Sequence, residues 1–418
     1  MLRSARPDVV PHSLRLITPR GLLVANLLGQ LAFGLLAMTI CIPSMQKWGG
    51  IFGASQASVQ LTFSGFVVAY GGLQLLYGPW SDRVGRKTVL MAGLALAAAG
   101  SLLAALATDL TMLTAARVLQ GAGSAAGMVV GRALVQDLFD GPQRTRVMAY
   151  VGMAMGLCPP LATILGGYVH VRWGWQANFK LMTGLAVLLF LAAWRGLPGP
   201  PPARPERTHW FRAMVDAYAR LAREPGFAWY VALLASTTAT FYAFLGGAPI
   251  VLGGYGVGPD GIGYYIMFVP LSYIVGNYAS SHLVHRVGEH RLMAWGQIAS
   301  LGGIGLVIVL AVAGWRTPLA FALPLTLLGI GHGLLVPPAL TGTVGLIPVL
   351  AGSASAAAGL MQQLLGAAGG FAVGLLDHDG AASLGWMMLG MTVAGLAAQL
   401  RLHRLWRRRN ASESAGAG

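Results

Sequence analysis

The chain has 418 residues, of which 56% are hydrophobic and 10% are charged, and its mean hydropathy is +0.65. A soluble domain carries roughly 25% charged residues, so a water-soluble fold could not bury this much apolar surface. The net charge of +15 could suggest a nucleic-acid ligand, but the basic residues are dispersed between apolar segments rather than gathered in one domain. The composition predicts a protein embedded in a lipid bilayer, with lipids around it and no nucleic-acid partner.

Twelve apolar segments of helical length follow one another along the chain. Each is long enough to cross about 30 Å of hydrocarbon at 1.5 Å per residue, and a helix satisfies its own backbone polar groups there. The sequence therefore predicts an all-α membrane protein of twelve transmembrane helices. The segments fall at roughly 21–43, 57–79, 88–107, 110–136, 146–169, 178–195, 227–253, 261–284, 292–314, 318–340, 353–376 and 381–402.

One long break, at 196–226, divides these segments into two groups of six. It holds a proline-rich stretch and then the amphipathic sequence HWFRAMVDAYARLAREP, which is typical of a linker with an interfacial helix. The sequence DRVGRK after the second segment returns as HRVGEH after the eighth, which indicates duplication. The expected organisation is a tail at 1–20, a six-helix bundle at 21–195, the linker at 196–226, a pseudo-symmetric six-helix bundle at 227–403 and a tail at 404–418.

Lysine and arginine are distributed unevenly between the two sides of this bundle. With the N-terminus in the cytoplasm, 22 of the 28 basic residues fall in cytoplasmic segments. Because cytoplasmic loops carry an excess of basic residues, the sequence predicts that both termini are cytoplasmic.

The most specific motif is GPWSDRVGRK at residues 78–87, between the second and third segments. Gly78 and Gly85 are expected to permit a tight turn, and Asp82 can pair with an arginine or cap a helix N-terminus. The motif resembles the signature loop of the major facilitator superfamily, whose fold is two six-helix bundles. The resemblance implies a cytoplasmic gate in which Arg83, Arg86 and Lys87 take part. The alternative is basic charge that only sets topology.

The fourth segment, RVLQGAGSAAGMVVGRALVQDLF, resembles the Bcr/CflA branch of the drug:proton antiporters, as do the second and tenth segments. The resemblance implies a monomeric secondary transporter of a bacterial inner membrane. It would export a small organic molecule by alternating access, in exchange for protons and without a cofactor. It also implies that Asp137 pairs with Arg83 or Arg86, whereas a surface cap of its own helix is the other interpretation.

Charged and titratable residues inside the apolar segments are candidates for the substrate and proton pathway. Arg117 is costly in the membrane unless it faces the bundle interior, and Gln120 shares its helical face. An arginine that snorkels to the outer interface is the alternative for Arg117. His332 could carry a proton or be a neutral hydrogen-bonded histidine, and Asp82 or Asp137 could titrate instead.

Polar and aromatic residues of the other segments could line a cavity between the halves, as the family fold implies. For each of them, ordinary helix packing is at least as good an explanation. The candidates are Asn26, Gln30, Phe241, Phe244, Tyr265, Gln362 and Gln363.

Two departures from the family pattern bear on the cargo. Thr39 stands where branch members often carry an acid, and Thr163 stands where the exporter motif of the fifth segment usually has a proline. The remaining glycines and prolines should keep this fifth segment bendable. They are Gly152, Gly156, Pro159, Pro160, Gly166 and Gly167.

No aspartate or glutamate lies in the middle of a predicted span, which argues against a cationic cargo and favours a neutral, zwitterionic or anionic one. No phosphate-binding loop, metal-ligand spacing or nucleophile motif points to an enzyme or a metal site. Two further hypotheses stay open: a dedicated exporter of one endogenous metabolite, such as a siderophore, and a membrane sensor that does not transport.

Overall fold

The structure is a computed structural model that describes residues 20–197, 210–376 and 380–416. Over these residues the chain is helical and contains no β-strand, which confirms the all-α prediction. The predicted N-terminal tail, apart from Arg20, lies outside the described residues, as does the proline-rich stretch of the linker.

Seven helices form the N-terminal half. The first predicted segment is divided in two because Pro43 has no backbone N–H to continue the hydrogen bonding past Thr39. The other five segments are single helices. The bounds are α1 Arg20–Thr39, α2 Ile42–Phe52, α3 Gln56–Val84, α4 Arg86–Ala105, α5 Leu110–Leu138, α6 Gly141–Trp173 and α7 Gln176–Gly196.

The amphipathic helix predicted within the linker is α8, which packs on the C-terminal half through its contacts with α9 and α15. The C-terminal half has two divided segments, one at Met267 and one at Leu323–Pro324. The bounds are α8 Trp210–Ala222, α9 Pro225–Gly254, α10 Pro259–Ile266, α11 Phe268–Val287, α12 Glu289–Val312, α13 Pro318–Ala322, α14 Leu325–Gly345, α15 Ala351–Val373 and α16 Ala381–Gly416.

Eleven helices of the described residues are long and apolar enough to cross a membrane. The twelfth crossing is the α10–α11 pair. It is broken at Met267, and polar residues such as Asn277 and His282 make it less apolar than the other spans. The helix α16 continues beyond residue 403 to Gly416, so the expected tail at 404–418 is helical over most of its length. Residues 404–415 contain no glycine or proline that would interrupt the helix.

The two halves repeat one packing scheme. In the N-terminal half α5 packs on α1, α3 and α4, while α7 packs on α1 and α4. In the C-terminal half α14 packs on α9, α11 and α12, while α16 packs on α9 and α12. Close helix approach is repeated as well, since a Cβ on Gly93 would meet the carbonyl oxygen of Gly123 and a Cβ on Gly296 would meet that of Gly331.

The bundle has two faces that differ in how the halves meet. We call the face with the turns at Gly85, Asp140 and Gly288 the basic face, and the face with the turns at Gly53 and Gly174 the sealed face. Near the sealed face α3 packs on α15, and α6 packs on α10. The residue pairs that meet there across the two halves are Ala57 with Gly374, Phe63 with Gly370, Gly71 with Gln363, Ile164 with Gly263 and Gly167 with Pro259.

Toward the basic face the same helices separate. Four glycines on α3, α6 and α15 have no atom within 4 Å of the place where a Cβ would stand, namely Gly72, Gly152, Gly352 and Gly359. The halves therefore enclose a cleft that opens at the basic face and is closed at the sealed face. This is one of the two conformations that alternating access requires.

Candidate transport cleft and gate

The turn between α3 and α4 consists of a single residue, Gly85. Its φ of 107° lies in a region that only glycine adopts readily, and α4 begins at the next residue. The expected turn at Gly78 is wrong, because α3 runs through Gly78 and Pro79 to Val84. One glycine is enough to reverse the chain here, and Gly78 is left inside the helix.

Arg86, the first residue of α4, joins three helices at the basic face. Its guanidinium pairs with Asp82 at the end of α3, its Nε donates to Asp137 Oδ2 of α5 at 3.0 Å, and its Nη1 donates to Ser81 Oγ at 2.9 Å. Of the two arginines considered for Asp137, Arg86 pairs with it. We call Asp82, Arg86 and Asp137 the ionic bridge.

Lys87 of the gate motif binds the end of α7. Its Nζ donates to the carbonyl oxygens of Trp194 at 2.6 Å and Leu197 at 2.9 Å, at the end of α7. A lysine there satisfies carbonyls that have no partner within the helix and complements the negative end of its dipole. The sequence contained no direct signal for this contact, because the partner is backbone.

Arg117 is completely buried inside the N-terminal half. Its Nη1 donates to the carbonyl oxygen of Ala37 at 2.7 Å and its Nη2 to that of Met38 at 3.3 Å, where α1 breaks before Pro43. Its guanidinium carbon lies 4.3 Å from the centre of the Phe66 ring. Because no part of the side chain is accessible, Arg117 does not line the open cleft in this conformation.

Gln120 continues this buried network. Its Oε1 accepts from Arg117 Nη1, and its Nε2 donates to Ser101 Oγ of α4 at 2.8 Å. Ser101 Oγ in turn donates to the carbonyl oxygen of Ala97 at 2.7 Å. These contacts fix the end of α1 to α5 and α4. We call the network of Arg117, Gln120 and Ser101 the clamp on the α1 break.

Asn26 and Gln30 of α1 face α7 rather than the opposite half. Asn26 Nδ2 donates to the carbonyl oxygen of Ala192 at 2.9 Å, and Gln30 Nε2 donates to that of Leu189 and to Asn26 Oδ1, both at 3.0 Å. The predicted i, i+4 pair is therefore formed, and it joins two helices of the same bundle.

Several cavity candidates of the C-terminal half meet at the inner end of the cleft. Tyr242 Oη donates to Gln363 Oε1 at 2.9 Å, and Thr238 Oγ1 donates to Gln362 Oε1 at 3.2 Å. Phe241 is half-buried on α9 next to Tyr242.

Phe244 is buried next to this group, since its ring centre lies 6.3 Å from that of Phe241, and it also stacks on Phe321 at 6.3 Å. Two other candidates do not join the group. Tyr265 is half-buried on α10. His332 of α14 is 6% exposed, and no hydrogen bond joins its ring to a residue that the structure describes.

The glycines and prolines of α6 serve two kinds of contact. Pro159 and Pro160 lie inside an unbroken helix, and the Thr163 hydroxyl donates to the Pro159 carbonyl oxygen at 2.6 Å. Gly166 packs on the Ile40 carbonyl at the α1 break, while Gly167 packs on Pro259 across the halves. Near the middle of α6, Gly156 contacts Ile274 of α11, while Gly152, one turn closer to the basic face, lies in open space.

Two polar residues near the sealed face connect the halves directly, and the sequence did not single them out. Gln60 Nε2 donates to the Gly246 carbonyl oxygen at 2.9 Å, and Ser64 Oγ donates to that of Ala367 at 2.8 Å. Both hydrogen bonds would have to break if this face opened.

A bundle of twelve apolar helices in two similar halves, with a cleft between them and an ionic bridge at the open face, defines a membrane transporter. The family model of the Major Facilitator Superfamily matches residues 25–370. The chain belongs to this superfamily, as its motifs predicted, and it is a transporter rather than an enzyme.

Relatives of known name agree with the predicted branch. The chain is 27% identical over 369 residues to multidrug resistance protein D of Escherichia coli (strain K12), covering 87% of this chain and 91% of the relative. It is 25% identical over 366 residues to a bicyclomycin resistance protein homolog of Haemophilus influenzae, covering 85% and 90%. Its fold matches the crystal structure of a mutant of the nucleoside transporter NupG with a TM-score of 0.74, at 13% identity, covering 92% of this chain and 99% of that one.

Proposed function

We propose that this protein is a secondary active efflux transporter that exports a small organic molecule in exchange for protons. The observation that carries the proposal is the cleft, which is closed where Gln60 and Ser64 join the halves and open at the face that holds the ionic bridge. A transporter in this state can load cargo from one side only. Rocking of the halves, with rearrangement of the bridge, would expose the cargo to the other side.

The direction of transport follows from topology. The excess of lysine and arginine on one side supports a cytoplasmic basic face, so the cleft is inward-facing and loads from the cytoplasm. We place the protein in the bacterial inner membrane as a functional monomer with both termini cytoplasmic. We retain the division into bundles at 21–195 and 227–403, joined by the linker at 196–226.

The cargo that we propose is drug-like or a metabolite, and neutral, zwitterionic or anionic. Apart from Asp216 in the amphipathic helix α8, which is not a span, the described acids lie at helix ends or in turns, so none is available as a fixed partner for a cation at mid-membrane. The relatives are named for resistance to drugs, which supports efflux. The missing acid also favours a second candidate, a dedicated exporter of an endogenous metabolite.

The proton carrier has three candidates. His332 is the histidine deepest in a described helix, and its ring makes no hydrogen bond to a described residue. Asp82 and Asp137 could exchange protons when the ionic bridge opens. Replacement of each by a non-titrating residue in the coupled assay below would separate them.

The proposal is tested in everted membrane vesicles with an imposed proton gradient. Addition of bicyclomycin, or of extracts of the producing cells, should release protons from the vesicles and load the compound only when the chain is present. A protonophore should abolish the uptake. Equal uptake with and without the gradient would remove the coupling and leave a facilitator, whereas no chain-dependent uptake of any compound would contradict transport.

A further inference from the structure

The end of α16 at the basic face carries a dense group of basic residues. Five arginines lie between residues 401 and 409, and the helix continues through them to Gly416. Arg401 stands 20 residues after Ala381, where α16 begins, so it lies about 30 Å along the helix. Because the hydrocarbon core of a bilayer is about 30 Å thick, Arg401 reaches its boundary and the following arginines lie at the level of the lipid headgroups.

Three of these arginines are exposed on one side of the helix, namely Arg401, Arg404 and Arg407. Residues three apart are neighbours on a helix surface, so the three form one continuous group, which we call the basic stripe. Among the described residues, no acid forms an ion pair with any of them. The charge of the basic stripe is therefore available to an anionic partner.

The opposite side of the same helix end is packed against the protein. Leu402 is 4% exposed and belongs to an apolar core that α16 shares with α9 and α12. Trp406 packs on His290 near the start of α12, with ring centres 4.7 Å apart, and the His403 ring lies 6.0 Å from that of His290. These contacts fix the rotation of the helix, so the basic stripe faces away from the bundle.

His290 occupies the place that Lys87 has in the N-terminal half. Each is the second residue of the helix that follows a one-residue glycine turn, and each contacts the last helix of its own bundle. That helix is α7 for Lys87, and α7 has a single arginine, Arg195, in its last turn. Since one arginine at such an end is compatible with the same orientation, topology alone does not require five at the end of α16.

We propose that the basic stripe binds anionic phospholipid headgroups of the leaflet at the basic face. A cluster of basic residues directly after a membrane span is typical of binding to anionic lipids, and a guanidinium pairs with phosphate through several hydrogen bonds. A bound lipid would hold α16 against α12 through the contact of Trp406 with His290. The site lies outside the cleft and does not depend on the cargo or on the direction of transport.

Lipid retention by the purified full-length protein tests the proposal. The delipidated protein is mixed with equal amounts of phosphatidylglycerol and phosphatidylcholine of the same chains, and bound lipids are counted by native mass spectrometry. The wild type should prefer phosphatidylglycerol about tenfold, and the triple variant Arg401→Gln, Arg404→Gln, Arg407→Gln should lower this preference to about twofold or less. Replacement of the same three residues by lysine should keep most of the preference, because lysine retains the charge.

A matched triple variant removes the same charge elsewhere on the basic face. It combines Arg146→Gln, Arg223→Gln and Arg286→Gln, at three exposed arginines outside α16, and its preference should stay within about twofold of the wild type. An equal fall in both glutamine triples would show that only net charge matters and would overturn the site. Equal binding of the two lipids by the wild type would also overturn it.

Thermal unfolding supplies a second measurement in the same samples. A ligand that binds only the folded state raises the unfolding temperature, so phosphatidylglycerol should raise that of the wild type more than phosphatidylcholine does, and high salt should reduce the difference. Trp406→Ala keeps the basic stripe but releases its position, so part of the difference should be lost. A full difference in the α16 glutamine triple would contradict the proposal. Neither measurement requires transport, so lipid binding by a chain without vesicle uptake would contradict the efflux function and keep the lipid site.

Discussion

The two halves of this transporter share a scaffold but differ in charge. Gly85 and Gly288 make the same one-residue turn, with φ of 107° and 85°, and the glycine contacts between α4 and α5 recur between α12 and α14. The ionic bridge, however, belongs to the N-terminal half alone among the described residues. Glu289 stands where α4 begins with Arg86, and Leu325 stands six residues before Gly331, as Arg117 stands six residues before Gly123.

This difference indicates that the duplicated halves share their helix packing, whereas the charged residues of the gate lie in the N-terminal half. The apolar scaffold packs through small residues and needs no charge. The N-terminal half adds charged groups that can exchange partners as the halves move, namely Asp82, Arg86 and Asp137 at the gate. Three substitutions test whether the halves differ in this way.

The largest effect is expected from Arg117→Leu, which gives the N-terminal half the leucine of its counterpart. The change leaves the carbonyls of Ala37 and Met38 and the amide of Gln120 without their donor, and each buried unsatisfied group costs about 1–3 kcal/mol. Thermal unfolding of the purified protein should shift by several degrees, and vesicle transport should be mostly lost.

A second variant distinguishes this clamp from simple packing. Adding Gln120→Leu to Arg117→Leu removes one orphaned group, so part of the lost thermal stability should return. If Arg117→Leu unfolds at the wild-type temperature, the clamp on the α1 break has no energetic role.

An intermediate effect is expected from Asp82→Asn, since it removes one carboxylate from Arg86 and weakens the connection between α3 and α4. Transport in vesicles should fall about tenfold, equivalent to about 1.4 kcal/mol, at unchanged membrane levels. The matched variant Glu289→Gln of the other half should stay within twofold. Equal losses in both variants would show that the halves gate symmetrically, against the comparison.

The smallest effect is expected from Lys87→Met, which keeps the aliphatic stem and removes two hydrogen bonds to the end of α7. Exposed charge at a helix C-terminus contributes typically 0.3–1 kcal/mol, so a small decrease in unfolding temperature should appear, and it should be larger at low salt than at high salt. A salt-independent shift would mean that the charge is not what stabilises α7.

The sequence predicted the fold well because its signal is local. Each signal lies in consecutive residues: the twelve apolar segments, the linker at 196–226 and the repeated motifs at Gly85 and Gly288. A bilayer also permits few arrangements for such segments. The sequence did not predict the helix breaks at Ile40–Cys41 and Met267, or the length of α16 beyond residue 403, because helix ends depend on neighbouring contacts.

The candidate site was only partly predictable. The residues of the gate motif and Asp137 were found because charged residues beside a membrane are conspicuous. Three contacts depend on which helices are neighbours: the pairing of Arg86 with Asp137, the binding of Lys87 to backbone carbonyls, and the orientation of Asn26 and Gln30 toward α7. Periodicity places a side chain on a helix face but does not say what that face meets.

A twelve-helix transporter of the major facilitator type, with a gate motif at its basic face, could be predicted from the sequence alone because hydrophobic length and turn residues act over short stretches. The burial of Arg117 within one bundle and the hydrogen bonds of Gln60 and Ser64 between the halves could be seen only in the tertiary structure. The physical reason is that the free energy of a charge in a membrane depends on whether it meets carbonyls, water or lipid, and those surroundings are set by residues far away in the chain.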